Sequence, residues 1–237
     1  MTTPLAIGKQ ITKLGLLLMM GVTMSADAGL FGLGGTSWKE EVLLHDGSKI
    51  IAERSVERGG RHEVGQEPPI KKQSLAFTLR STNEHVTWED EFTEDVGGAN
   101  FLPMQLELRQ GIAYLVVHPM GCLSYNKWGR PNPPYVVFKY QDKTWQRITL
   151  QELPAEFKIP NLIFSSPDRE AAKKGRIVSA EAIRSLYDGY KQPEYKTILR
   201  EAVKGAGSSC PEMVFYKGAW VGPGDSIGKR MMDSRAK

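Results

Sequence analysis

Glu41-Val42-Leu43-Leu44-His45-Asp46-Gly47-Ser48-Lys49-Ile50-Ile51-Ala52 is the stretch from which the fold class follows. Two short apolar runs flank an Asp-Gly pair. Asp-Gly supplies the positive backbone φ angles of a tight hairpin turn, so the stretch reads as two antiparallel strands. The same grammar recurs along the chain. Gln105–Leu108 and Ala113–Val117 flank Gln110-Gly111, and Tyr135–Phe138 and Thr144–Ile148 flank Gln141-Asp142-Lys143. Met213–Tyr216 and Ala219–Val221 flank Lys217-Gly218. Further strands are expected at Ser74–Leu79 and His85–Trp88, where Phe, Val and Trp suit a pleated, half-buried surface. The turns fall at irregular intervals, which disfavours a propeller or solenoid. The expectation is a mainly β, antiparallel, hairpin-rich sandwich or half-barrel.

Two helices interrupt this pattern. Ser166-Pro167-Asp168-Arg169-Glu170 has a capping Ser, Pro at a first helical position and early acids, and Lys173-Lys174-Gly175 closes the segment. Ser179 caps a second helix, in which Ile183, Leu186, Tyr187 and Tyr190 share one face. The expected organisation is a single β-rich domain over 38–226 with a helical insertion at about 166–190. A flexible lead over 29–37 precedes it and a loose basic tail over 227–237 follows it.

The N-terminus reads as an export signal. Lys9 and Lys13 precede the short apolar run Leu14–Met24, and Ser25-Ala26-Asp27-Ala28 supplies the small-x-small pattern of a cleavage site. The run is well short of the roughly 20 residues that span a bilayer. Cleavage is therefore expected near Ala28, with residues 1–28 removed, no stable membrane insertion afterwards and a periplasmic or secreted product. An oxidising compartment lets a disulfide persist, so Cys122 and Cys210, the two cysteines of the chain, are expected to pair.

Composition removes several function classes. Apolar residues make up 41% of the 237 and charged residues 24%, as in ordinary globular proteins. The formal net charge is +4, too small for the basic footprint of a nucleic-acid binder. The histidines His45, His62, His85 and His118 show no His-x-x-x-His or comparable ligand spacing, so no metal site is assigned. No phosphate-cradling loop, dinucleotide fingerprint or Gly-x-Ser-x-Gly elbow is present, and no cofactor or catalytic residue is assigned. His118 lies four residues before Cys122, and a base beside a nucleophile is conceivable there, but a strand-end histidine near a disulfide fits the compartment better.

Two segments carry the remaining interest. Glu89-Asp90-Glu91 and Glu94-Asp95 gather carboxylates in a short run. Neighbouring strand residues point to opposite faces, so these acids do not all converge, and a charged, protected edge strand is expected. The segment Gly121–Tyr135 sets Tyr125, Trp128 and Tyr135 around a Pro-rich turn, with Asn126, Arg130 and Asn132 between them. Aromatic rings with planar polar groups suit a glycan or a protein partner, and these six residues form the candidate binding surface.

The run GCLSYNKWGRPNPPYVVFKY, with IPNLIFSSPD (Ile159–Asp168) and WVGPGDS (Trp220–Ser226), resembles exported proteins of Gram-negative bacteria to which no function is assigned. That resemblance implies export and a bacterial source, and it implies no activity. The leading expectation is a non-enzymatic binding protein of the periplasm or cell envelope, with an envelope protein or a glycan as partner. The alternatives are a carboxylate-dependent glycan hydrolase using Glu89–Asp95, and a small-ligand or metal-binding protein.

Overall fold

The computed structural model describes residues 35–235. The expected signal peptide, its cleavage position and most of the glycine-rich lead lie outside them.

Eleven strands form among the described residues: β1 (Gly35–Leu43), β2 (Lys49–Arg58), β3 (Ile70–Leu79), β4 (Glu84–Glu91), β5 (Phe101–Arg109), β6 (Ile112–Pro119), β7 (Val136–Gln141), β8 (Thr144–Ile148), β9 (Ile177–Val178), β10 (Val214–Tyr216) and β11 (Ala219–Val221). They make a five-stranded sheet in the order β4-β3-β2-β1-β9, a four-stranded sheet in the order β5-β6-β7-β8, and the two-stranded β10-β11 hairpin. All pairings are antiparallel except that of β9 with β1. All four hairpins read from the sequence are present. At three of their turns, Gln110-Gly111, Asp142-Lys143 and Lys217-Gly218, both central residues have positive φ, the geometry that matches strand twist.

The burial pattern of each strand reports its layer. β4 alternates strictly, because one face meets the core and the other meets water. In β6 the run Ala113–Val117 is buried throughout. One face of the four-stranded sheet packs on the five-stranded sheet, where Leu75, Phe77 and Trp88 meet Leu106, Leu115 and Val136. Its other face, with Met104, Tyr114 and Val116, packs on Phe157, Ile163, Ile183 and Tyr187 of the C-terminal half. The sheets thus form an open sandwich with a third, helical layer behind it.

Five α-helices are described, not two. The expected pair is α2 (Pro167–Lys174) and α3 (Ala180–Asp188), and the Ser179 hydroxyl accepts from the Ala182 amide and caps α3. Ser166 precedes α2 in the left-handed region and its side chain makes no cap, a correction of its expected role. Three were missed: α1 (Gly121–Lys127), α4 (Pro193–Lys196) and α5 (Ser226–Arg235). α5 corrects the expectation of a loose tail over 227–237. Its first turn is capped by Asp225, whose carboxylate accepts from the Gly228 amide at 2.8 Å. The lead over 29–37 is corrected at its end as well, since Gly35–Ser37 already pair with β2.

A buried ion pair fastens the helical layer to the sandwich. Arg54 donates to Glu40 at 3.0 Å and to the Ile163 carbonyl at 2.7 Å. Glu40 also accepts from the Trp38 indole at 2.7 Å and from the Ile163 amide at 2.9 Å. Both charges are shut from solvent, and the strand residues thereby satisfy the backbone of a crossing loop.

Candidate binding groove

The six residues of the expected surface do not form a free platform. Tyr125 and Tyr135 are buried, and the Tyr135 hydroxyl donates to the Glu194 carbonyl at 2.6 Å. The polar members grip the chain's own segment 203–213. Asn126 donates to the Pro211 carbonyl and accepts from the Met213 amide, each at 3.0 Å. Arg130 donates to the carbonyls of Gly207, Cys210 and Pro211, and its guanidinium lies 5.0 Å from the centre of the Tyr125 ring. Asn132 donates to the Val203 carbonyl and accepts from the Val203 amide. The Cys122–Cys210 disulfide closes this clasp. The aromatic and amide groups that looked available for a ligand are occupied by a stretch some 80 positions downstream, which local sequence could not reveal.

Trp128 is the exception. It is half-buried and helps line a groove of about 520 Å³. The groove lies beside the free edge of β4. Its aromatic wall comes from separate strands: Trp88 of β4, Phe101 of β5, Phe138 of β7 and Trp145 of β8. Phe101 and Trp128 have ring centres 4.6 Å apart, and Trp128 meets Phe138 edge-on. The Trp145 indole donates to the Thr87 carbonyl at 2.9 Å, which closes part of the β4 edge. At the rim, Arg147 lies 5.3 Å from the centre of the Trp128 ring and donates to the Trp128 carbonyl.

The groove's polar floor is Asp90 with Asn100. The Asp90 carboxylate accepts from the Asn100 amide and side chain, the Phe101 amide and the Gln73 side chain, at 2.8–3.1 Å. Asn100 in turn accepts from the Trp128 indole at 3.3 Å. Burial raises the Asp90 pKa, and these donors oppose the rise without cancelling it. All four donors are neutral, so no cation answers this charge directly.

The other carboxylates diverge as the pleat requires. Glu89 and Glu91 occupy the outer face of β4 and share Lys72 at 3.5 and 2.6 Å. Asp95 pairs with Lys127, whose hydrogen bond and charge outweigh the effect of burial and hold the carboxyl below its ordinary range. Arg54, Arg58 and Lys71, near in sequence to the hairpin partners of this run, pair elsewhere, with Glu40, Asp168 and Glu57.

Comparison with protein-family models, with curated proteins and with solved structures returned no match. The groove must therefore be judged on its own chemistry.

Other titratable groups are structural. Cys122 is spent in the disulfide, and His118 is half-buried against Phe164 and Tyr195, hydrogen-bonded to the Pro119 carbonyl at 2.7 Å. Burial lowers the His118 pKa, and the hydrogen bond to the Pro119 carbonyl opposes that shift without cancelling it. Glu107 accepts from the amide and the ring of His45, at 3.0 and 2.9 Å, and its pKa is raised by burial. Among the described residues no three His, Cys, Asp or Glu side chains converge as a metal site. No helix among them is long and apolar enough to cross a membrane.

Sequence reasoning named Trp128 and the acidic run but missed Trp88, Phe101, Phe138 and Trp145 as companions. Their strand positions are legible. That they meet depends on how the two sheets are stacked.

Proposed function

We propose that this chain is a non-enzymatic, exported binding protein of the periplasm or cell envelope, and that its ligand sits in the groove between Trp128, Trp145 and the β4 edge. The observation that carries this reading is the groove's composition: an aromatic wall over a floor whose hydrogen-bonding groups are already satisfied by one another. Such a site offers contact area and shape, the ingredients of recognition, and holds no poised acid or base. The disulfide fits an oxidising compartment.

The glycan-hydrolase alternative is less well supported. It needs two carboxylates facing one cleft at roughly 5 to 9.5 Å. Asp90 faces inward with its oxygens occupied, whereas Glu89 and Glu91 face outward to Lys72.

Protein-observed NMR of the oxidised chain, following the indole N–H signals during titration with short glycans, peptides and small amines, tests the reading. Saturable shifts at Trp128 and Trp145, with the ligand recovered intact, are expected. Cleavage of a glycan that is lost in Glu89→Gln would overturn it in favour of the hydrolase.

A further inference from the structure

Resting on the groove as the ligand site, we infer that the group it selects is a cation of the alkylammonium class, enclosed by aromatic rings and drawn by carboxylate charge. The argument begins with what the groove lacks. Among its described lining residues there is no Lys, Arg or His, whereas Asp90 lies in the floor and the outward-facing Glu89 and Glu91 stand at its edge. Lys72 offsets the outer pair, but it is one cation for two glutamates, and Asp90 has only neutral donors. Lys127, which donates to the lining residue Thr93, is neutralised by Asp95, and Arg147 at the rim is the one further cation. With both counted, the three lining carboxylates still exceed the cations beside them by one, over a low-dielectric aromatic wall.

The second step concerns hydrogen bonding. A sugar is recognised through directional bonds to its hydroxyls, and a floor whose amides and carboxylate already bond one another offers few of them. A cation needs no such direction. It is attracted to the negative faces of indole and phenyl rings, and more strongly where water is excluded. Trp128 already displays this affinity, because the guanidinium of the chain's own Arg147 rests over its ring. Arg147 is exposed, so it behaves as a rim group that a better-enclosed cation would displace or be repelled by.

Choline and its uncharged isostere 3,3-dimethyl-1-butanol are the probes, titrated at low ionic strength with the indole signals as readout. Choline is expected to bind about tenfold or more tighter than the neutral alcohol, the scale of a partly desolvated cation–π contact. Two exposed-site variants sharpen the test. Glu89→Gln/Glu91→Gln should weaken choline about threefold and leave the alcohol unchanged. Arg147→Ala should tighten choline by a similar factor, since it removes a competing like charge. Equal binding of the two probes would overturn the cation assignment while leaving a ligand groove in place. So would indole shifts produced by an oligosaccharide but not by choline. Absence of any indole response to every probe and panel ligand would remove the groove reading itself, and the cation with it.

Discussion

Glu40 accepts hydrogen bonds from three donors at once: the Trp38 indole, the Arg54 guanidinium and the Ile163 amide. A glutamine there would have to turn its NH₂ toward one of those donors and would leave Arg54 charged and unpaired in the core. Glu40→Gln is expected to lower unfolding free energy by about 3–5 kcal/mol, the usual cost of breaking a buried pair from one side. The urea midpoint measures it. Replacing both residues with Met, often neutral for buried pairs, should fail to restore stability here, because the Ile163 N–H and C=O would lose their partners.

Gly207 rests against the Tyr125 ring with positive φ, and a Cβ built on it would lie 2.3 Å from the ring. Gly207→Ala therefore has to push the clasp segment away or shift a buried ring. A loss of about 1–3 kcal/mol is expected, with a lowered thermal midpoint. Tyr125→Leu should relieve part of the clash, so a double-mutant cycle would give a positive coupling.

Cys122 and Cys210 lie 88 positions apart, and removing the bond with Cys122→Ser/Cys210→Ser should cost about 2–5 kcal/mol. The pairings of β1 through β8 use no residue of the clasp segment. Amide exchange is expected to accelerate over 203–213 while the protected amides of β2, β3 and β6 change only with the global stability. Uniform acceleration everywhere would contradict that division.

Asp168 accepts two hydrogen bonds from Arg58, at 2.7 and 2.8 Å. Burial pushes its carboxyl up, but the hydrogen bonds and charge of Arg58 outweigh that and hold it below the ordinary range. A carboxyl with a folded pKa below its unfolded one stabilises fully above the unfolded value and loses that effect as pH falls through the folded value. Asp168→Asn should therefore cost about 2 kcal/mol near neutral pH, and the gap from wild type should close as pH drops below about 4. Paired denaturation curves across that range are the check.

How much of this was readable in advance differs by residue. The hairpins were legible because each strand pair carries its own turn chemistry, as at Gln110-Gly111, and needs no distant information. That Glu89, Asp90 and Glu91 would not all converge was legible for the same reason, since the pleat dictates alternation; which of them face outward was not, because that depends on the sheet's partner. The tail helix was missed although its cap, Asp225, stood in the sequence beside a Gly-Pro-Gly stretch that reads as a simple turn. The role of Asn126, Arg130 and Asn132 was not legible, because their partners lie between Val203 and Met213 and no local pattern announces the return. The groove's rings likewise meet only through stacking of the two sheets.

The clasp also sets an order of assembly. All eight strands of the two principal hairpin runs, β1 through β8, precede Cys210 in the chain, and their pairing uses backbone bonds that exist before the second sulfur arrives. The covalent link can close only after Cys210 has followed those strands, and only where an oxidant is at hand. Whether the hydrogen-bonded clasp also becomes a covalent one is thus decided by the surroundings that the chain reaches. One bond keeps a chemical record of where each copy matured.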